Sequence, residues 1–240
     1  MNPRLFCSTP LAGRRAVDLP EGAAHHARRV LRLKAGDAVT LFDGAGGEFA
    51  GRIAAGTDAV RVDLGEWLAV EREAAFEVTL AQALPGGDKM DWVVQKAVEL
   101  GVARIVPLAA ARCVVRLAGE RATRRIAHWQ SVAVAACEQC GRNRVPEVMP
   151  LCELRAWLAA LPPQPRPVRL LLSATGGMPL RGLTPAAGAI LLVGPEGGLT
   201  DEEAAAALAS GFVATSLGPR VLRTETAALA ALAGLAALHA

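Results

Sequence analysis

Several features that would place a protein in a membrane or outside the cell are missing from this sequence. The longest uncharged apolar run, Thr226 to Ala240, is shorter than the roughly 20 residues that a spanning helix needs. Met1 to Pro10 lacks the apolar core of a secretory signal. The five cysteines are an odd number, which indicates reduced thiols rather than a disulfide framework. These absences predict a cytoplasmic protein with no membrane-spanning segment.

Recognisable patterns for phosphate and metal binding are also missing. No G-x-x-x-x-G-K-[ST] sequence occurs, and no G-x-G-x-x-G follows a predicted strand. Cys137 and Cys140 form a lone C-x-x-C without a second pair, and His128 lies too far from them for a usual zinc spacing. The sequence therefore predicts no metal site.

The chain has 240 residues, and 52% of them are hydrophobic, which is enough for a sizeable core in one or two domains. Its net charge of +3 is unevenly distributed. Residues 1–73 carry ten Lys/Arg and ten Asp/Glu, whereas Lys89 to Pro146 carries ten against four. A local excess of arginine is typical of contact with nucleic acid, although a solvated helix face would have the same composition.

The spacing of apolar residues predicts two domains. From Arg4 to about Trp67, short alternating runs between Gly/Asp turns, interrupted by one helix over Ala23 to Leu33, indicate a small β-barrel. From Phe76 onward strands and helices alternate, which indicates an α/β fold with a mostly parallel sheet. With a boundary near Val70 to Ala75, the predicted domains are residues 1–72 and 76–240.

Two glycine-rich turns near the C-terminus have the character of a binding site. The apolar run Ile190 to Val193 leads into Gly194-Pro195-Glu196-Gly197-Gly198 and a helix start with the capping-box pair Thr200 and Glu203. A second strand leads into Leu217-Gly218-Pro219-Arg220-Val221-Leu222-Arg223-Thr224. Because ligands bind beyond the carboxyl ends of strands in such sheets, the two turns predict a pocket. Glu196 occupies the position of a phosphate, which favours a neutral or cationic ligand.

These turns resemble the two C-terminal motifs of the SPOUT methyltransferases, specifically the RsmE family of 16S rRNA (uracil-N3)-methyltransferases. Gln95 to Leu108 and Ala136 to Pro146 are similar to two further motifs of that family. The resemblance is close from Lys89 to the C-terminus and looser over His25 to Phe42. It implies an enzyme that uses S-adenosylmethionine to methylate N3 of a specific uridine in 16S rRNA of the small ribosomal subunit.

The resemblance also implies a fold and an assembly. The fold is a SPOUT (α/β knot) domain with a C-terminal trefoil knot, preceded by a PUA-like RNA-binding β-barrel, and the assembly is a homodimer. The final helix, Thr224 to Ala240, has almost no polar face after Glu225, so we expect burial nearly all round. The chain itself or a second subunit would cover it. The resemblance favours the subunit interface, with Leu232 and Leu235 as test positions.

The family's loops, transferred to this sequence, give the expected site residues. S-adenosylmethionine would be held mainly by backbone groups, which the glycines allow to approach closely. The cofactor-binding residues are then Leu172, Ser173, Ala174, Gly194, Pro195, Glu196, Gly197, Leu217, Gly218, Arg220, Val221 and Leu222. Expected RNA-binding residues are Arg4, Arg28, Arg29, Arg32, Arg142, Asn143 and Arg144.

Methyl transfer to a uracil N3 requires removal of a proton and stabilisation of the resulting negative charge. Arg223 is the first candidate for stabilising that charge, and Arg220 is the second. Glu225 and Glu196 are candidate proton acceptors, although Glu225 could equally complement a helix dipole. The expected catalytic residues are therefore Arg223 and Glu225.

Other classes of function stay open at this point. A 2′-O-ribose RNA methyltransferase of the same superfamily would share most of the motifs. A non-catalytic ribosome-binding or RNA-binding module would retain the fold without the chemistry. A nucleotide-binding hydrolase is suggested by the glycine loops but opposed by Glu196 and the missing lysine.

Overall fold

The structure is a computed structural model that describes residues 2–55, 59–163, 167–182 and 188–238. Its internal contacts divide the chain into two compact units. The first comprises Met1–Glu73 and Cys137–Val145, and the second comprises Ala74–Ala136 and Pro146–Ala240. The sequence pattern predicts residues 137–145 in the second domain, but their hydrogen bonds are to Glu73, Val70 and Phe6 of the first unit.

The first unit contains a five-stranded sheet. Its strands are β1 (Arg4–Phe6), β2 (Ala16–Asp18), β3 (Ala38–Phe42), β4 (Glu48–Ile53) and β5 (Arg61–Leu68), in the order β1-β3-β4-β5-β2. All pairs are antiparallel except β1 with β3. The alternation that predicts β3, β4 and β5 is confirmed, whereas β1 and β2 have three residues each and are too short to show a period.

The predicted helix of the first unit is present but starts earlier and ends sooner than its pattern indicates. An α-helical turn, α1 (Glu21–His25), passes directly into a π-helical turn over His26–Val30. Arg32 then adopts a φ of 54°, a left-handed conformation that a non-glycine residue rarely takes. This backbone reversal ends the helix before Leu33.

The second unit contains the parallel sheet that the alternating pattern predicts. Its strands are β6 (Val78–Ala83), β7 (Arg104–Ala109), β8 (Glu147–Val148), β9 (Cys152–Glu153), β10 (Val168–Leu172), β11 (Met178–Pro179), β12 (Ala189–Val193) and β13 (Phe212–Ser216). The order is β11-β13-β10-β12-β6-β7-β8, with β9 also paired to β7. In this sheet the sequence pattern predicts all strands except β8, β9 and β11, which have two residues each.

Five α-helices accompany this sheet in the described ranges, together with a 3₁₀ turn over Leu180–Gly182. They are α2 (Lys89–Glu99), α3 (Gly119–Cys140), α4 (Leu154–Ala160), α5 (Asp201–Ala209) and α6 (Thr224–Leu238). The capping box at α5 is confirmed, because the Glu203 N–H donates to Thr200 Oγ1 at 3.2 Å and the Thr200 N–H donates to Glu203 Oε2 at 2.9 Å. The other Glu203 oxygen accepts from the Ala111 N–H at 2.7 Å, which attaches α5 to the loop after β7.

Helix α6 packs against α2 and β12 through one stripe of residues. The expectation of burial nearly all round is wrong for the single chain, because Ala230, Ala233 and Ala237 on the other side are exposed. Leu232 and Leu235 lie in the buried stripe and belong to the chain's own core. Among the described residues, no helix is both long and apolar enough to cross a membrane.

Candidate active site

The carboxyl ends of four neighbouring parallel strands meet at one edge of the second unit's sheet. The register places Leu172 of β10 opposite Thr215 of β13, and Val193 of β12 opposite Gln82 of β6. The loops that follow these strands therefore begin side by side. This arrangement brings together the three sequence-predicted cofactor loops, which start at Leu172, Gly194 and Leu217, and it adds the loop after β6.

Backbone lines much of this edge. Gly177 has a φ of +138°, and a Cβ there would lie 2.5 Å from the carbonyl oxygen of Ala214, so the two chain segments approach as only glycine permits. Gly218 has a φ of +114° and donates its N–H to Ser216 Oγ at 3.1 Å. The Gly177 segment is thus packed against the backbone of β13, and the Gly218 turn is held by the Ser216 side chain.

A buried relay of hydrogen bonds joins the second and third loops. Gln82 Nε2 donates to Thr224 Oγ1 at 2.9 Å, and Thr224 Oγ1 donates to the carbonyl oxygen of Gly194 at 2.6 Å. Gln82 is fully buried, and its Oε1 has no hydrogen-bond partner among the described residues. The relay fixes the start of α6 against the Gly194 loop.

Lys89, the first residue of α2, connects two carboxylates at this edge. Its Nζ lies 2.8 Å from Glu196 Oε1 and 3.5 Å from Glu225 Oε2. Glu196 Oε1 also accepts the Gly86 N–H at 2.9 Å. Sequence reasoning missed Lys89, although the run Gly86-Gly87-Asp88-Lys89, which begins three residues after the end of β6, is a strand-to-helix turn of the same kind as the other loops.

The pKa shifts of this cluster follow from the contacts. The hydrogen bond to Glu196 raises the pKa of Lys89, and the charge of Glu225 adds to the effect. Partial burial opposes ionisation of Glu196, but the hydrogen bonds from Lys89 and the Gly86 N–H outweigh it and lower the pKa of that carboxyl. At neutral pH the Lys89–Glu196 pair is ionised on both sides.

Glu225 differs from Glu196 in its remaining hydrogen-bonding capacity. Its side chain is only 14% exposed, and its Oε2 has no hydrogen-bond partner in the described chain beyond the ion-pair contact with Lys89. Arg223 and Arg220 are exposed, with no ion pair to any described residue. Two carboxylates, one ammonium and two open guanidinium groups therefore surround this edge, which suits a cationic ligand beside an acceptor that gains negative charge.

The remaining cofactor-loop positions vary in exposure. Pro195 is buried, and Leu172, Ser173, Gly194, Leu217 and Leu222 are half-buried, whereas Ala174, Gly197 and Gly218 are exposed. Val221, expected as a pocket residue, is 78% exposed in the single chain. Arg112 steadies the Gly194 loop from outside, because its Nη1 donates to the carbonyl oxygens of Gly197 and Leu199 at 3.0 and 3.1 Å.

Three of the expected RNA-binding residues require a correction. The side chain of Arg4 is only 6% exposed and donates to Glu48 Oε2 and Asn143 Oδ1, each at 2.5 Å. Asn143 is fully buried and donates to the Val70 carbonyl oxygen at 2.6 Å. Arg142 is buried and pairs with the Glu73 carboxylate. These groups hold the first unit together, so they are not positioned for RNA.

The other expected RNA-binding residues are on the surface. Arg28, Arg29 and Arg32 are exposed on and just after the π-helical turn, and Arg144 is exposed with its Nη2 3.5 Å from Glu71. Nearby, Cys137 is buried and donates to the Arg144 carbonyl oxygen at 3.7 Å. Burial raises the pKa of the Cys137 thiol to about 12, which keeps it protonated and a poor metal ligand at neutral pH.

Fold and edge together define the class as an α/β RNA methyltransferase of the SPOUT type with an N-terminal PUA domain. The family model described as "RNA methyltransferase domain" matches residues 72–236, and the one described as "RNA methyltransferase PUA domain" matches residues 19–64. The chain belongs to the RsmE family of ribosomal RNA small subunit methyltransferases.

Relatives and solved structures agree with this membership. Ribosomal RNA small subunit methyltransferase E of Bacillus subtilis is 33% identical over 220 residues, covering 88% of this chain and 86% of the relative. The Neisseria gonorrhoeae enzyme of that name, solved bound to S-adenosyl methionine, is 37% identical with a TM-score of 0.91, covering 99% of this chain and 98% of that one. A Legionella pneumophila structure with bound SAM is 35% identical with a TM-score of 0.93 and the same coverage.

Proposed function

We propose that this chain transfers a methyl group from S-adenosylmethionine to N3 of a specific uridine in the 16S rRNA of the small ribosomal subunit. The observation that carries the proposal is the half-satisfied carboxylate of Glu225, held beside Lys89 at the edge where the glycine loops begin. The relatives named ribosomal RNA small subunit methyltransferase E support the substrate class.

The residues at the edge fit S-adenosylmethionine. The carboxylates of Glu196 and Glu225, both within 3.5 Å of Lys89 Nζ, favour a sulfonium cation, and the exposed glycines Gly197 and Gly218 allow a ligand to approach the main chain. The residues that would hold the cofactor are those of the three predicted loops, Leu172 to Ala174, Gly194 to Gly197, and Leu217 to Leu222. When bound, S-adenosylmethionine supplies an electrophilic methyl group.

Two side chains of the chain itself would then accept the N3 proton and stabilise the resulting negative charge. Glu196 is committed to Lys89 and the Gly86 N–H, so proton acceptance from N3 falls to Glu225, whose buried Oε2 has only the ion-pair contact with Lys89. Arg223 has an uncommitted guanidinium group, which would stabilise negative charge on O2 or O4 as the proton leaves. The relay from Gln82 through Thr224 anchors the residue that lies between Arg223 and Glu225 in the sequence, and such positioning lowers the barrier further.

The domain roles follow the same proposal. We assign PUA-like RNA binding to the first unit, Met1–Glu73 with Cys137–Val145, and methyl transfer by a domain with a trefoil knot to the second unit, Ala74–Ala136 with Pro146–Ala240. Exposed Arg28, Arg29, Arg32 and Arg144 would contact RNA phosphate. A ribosomal substrate places the enzyme in the cytoplasm.

We also propose a homodimer that covers the open face of α6. Ala230, Ala233 and Ala237 lie on that face, which has no polar side chain between Thr226 and the end of the described helix. Ala233→Glu should give a folded monomer by light scattering. Leu235→Glu should instead unfold the chain, because Leu235 is fully buried. A dimer that survives Ala233→Glu would contradict the interface.

The activity is tested with tritiated S-adenosylmethionine and purified small ribosomal subunits that lack the modification. We expect tritium in the 16S rRNA, and none with Glu225→Gln. A thermal-shift comparison should show stabilisation by S-adenosylmethionine and not by ATP. Binding without transfer would favour a non-catalytic module, and stabilisation by ATP would favour a nucleotide hydrolase.

A further inference from the structure

The basic part of the second unit that remains at the surface is concentrated before and within the first half of α3. Between residues 111 and 128 the sequence has five arginines and one glutamate. Arg121, Arg125 and His128 follow one another at intervals of four and three residues, and Arg124 lies three after Arg121, so the four lie along one face of the helix. We call these four residues the α3 stripe. At 1.5 Å per residue the stripe is about 10 Å long.

Two contacts place the α3 stripe beside the start of α2. Arg125 Nη2 lies 3.5 Å from Asp88 Oδ1, and His128 Nε2 lies 2.7 Å from Asp91 Oδ2. Between these two acids in the sequence is Lys89, whose Nζ faces Glu196 and Glu225. The stripe therefore adjoins the candidate active site of the same unit.

A third contact joins the loop before α3 to the candidate active site. Arg112 holds the carbonyl oxygens of Gly197 and Leu199 on the second cofactor loop. The basic segment is consequently attached to the active-site edge both through the loop before α3 and through the helix itself. RNA phosphates lying on α3 would therefore pass close to the start of α2, where Lys89 contacts Glu225.

The two ends of the stripe have different partners. Arg125 and His128 are held by acids, and the Arg125 guanidinium also lies over the Trp129 ring at 5.5 Å from its centroid. Arg121 and Arg124 are exposed and form no ion pair with any described residue. Arg121 and Arg124 are about one helical turn apart, next to Arg125, which Asp88 holds in place. Their guanidinium groups can donate to consecutive phosphates, and planar guanidinium groups suit bidentate contact.

We infer that the α3 stripe, chiefly Arg121 and Arg124, binds the phosphate backbone of the RNA strand whose uridine enters the active site. The inference rests on the proposed function, because that function supplies the RNA. It assigns RNA contact to the methyltransferase unit itself, in addition to the exposed arginines of the first unit.

The test compares two double variants with the same change in charge. Arg121→Glu/Arg124→Glu reverses the open end of the stripe. The control, Arg104→Glu/Arg155→Glu, reverses two exposed arginines of the same unit, of which Arg104 is at the amino end of β7, away from the carboxyl edge. Glutamate suits a helix surface, and circular dichroism melting should give equal midpoints for Arg121→Glu/Arg124→Glu and the wild type.

We expect the stripe variant to raise KM for small subunits about tenfold or more, with kcat and the calorimetric Kd for S-adenosylmethionine unchanged within twofold. The dependence of log K on log salt for binding the isolated 16S rRNA should become shallower by about 1.4, or about 0.7 for each lost contact. The control should stay within threefold of wild type.

Equal losses in both double variants, or no loss in the stripe variant, would overturn the inference. A stripe variant that changes from dimer to monomer in light scattering would also overturn it, by assigning the stripe to a protein interface. Failure of the proposed function is a separate result, in which wild-type protein transfers no methyl group. The RNA-binding measurement would then still decide whether the stripe binds RNA.

Discussion

Two groups of arginines in this chain have the same chemistry and opposite surroundings. The side chains of Arg4 and Arg142 in the first unit are buried, and their guanidinium groups donate to Glu48, Asn143 and Glu73. Arg220 and Arg223 in the second unit are exposed at the end of a glycine turn, without ion pairs in the described ranges. A buried and paired arginine maintains a fold, whereas an open one beside a carboxylate is available to a ligand.

The largest expected effect is on the rate of methyl transfer when the exposed Arg223 is replaced. Arg223→Ala should lower single-turnover methyl transfer by about 10²- to 10³-fold, because one donor to developing charge is lost. Calorimetric binding of S-adenosylmethionine and the unfolding midpoint should stay unchanged. Arg223→Lys should recover the rate only in part, since an ammonium cannot supply two parallel donors. Loss of cofactor binding in the alanine variant would make Arg223 a pocket residue instead.

Removal of a buried arginine should act on stability. Arg142→Ala leaves the Glu73 carboxylate without its partner, and we expect a loss of about 3 kcal/mol in the free energy of unfolding, measured with urea. The matched control is Arg144→Ala, two residues on, where the exposed pair with Glu71 should contribute under about 1 kcal/mol. Similar losses in the two variants would contradict the distinction between buried and open arginines.

A smaller effect should appear as a pH dependence of stability. Burial opposes ionisation of Glu48, but hydrogen bonds from Arg4 and Asn143 outweigh it and lower the pKa of this carboxyl below 4.5. A lowered folded-state pKa contributes stability above the unfolded value, which is lost as pH falls through the folded value. The wild type should therefore lose stability below about pH 4.5 more steeply than Glu48→Gln. Parallel pH profiles of unfolding would exclude this role.

The smallest effect is expected for the exposed arginines of the first unit. Replacement of Arg28, Arg29 and Arg32 together by Ala should weaken binding of 16S rRNA and reduce its salt dependence, while S-adenosylmethionine binding stays the same. Filter binding over a series of salt concentrations measures both quantities. Unchanged RNA affinity would mean that this face is merely solvated.

The sequence predicts most of the fold because its signals are local. Periodicity identifies the strands and helices of at least five residues, and the capping box at Thr200 fixes the start of α5 from four residues alone. The glycine turns identify the active-site edge for the same reason. Strands of two or three residues, such as β1 and β11, are too short to show a period. They are strands because they pair with the longer strands β3 and β13.

The parts that sequence reasoning missed depend on distant partners. Lys89 becomes part of the site through Glu196 and Glu225, more than a hundred residues away. Arg4, Arg142 and Asn143 match a basic motif in sequence, and only their pairing across the first unit reveals a structural role. Likewise, composition cannot tell which side of α6 the chain covers by itself.

The most direct measurement of the central claim is the identity of the methylated atom. Small subunits lacking the modification would be incubated with the wild-type chain and S-adenosylmethionine, and the 16S rRNA digested to nucleosides for mass spectrometry with fragmentation. The account predicts a single methylated uridine whose added mass stays with the base and whose retention matches 3-methyluridine. Added mass on the ribose, or on any base other than uracil, would contradict it.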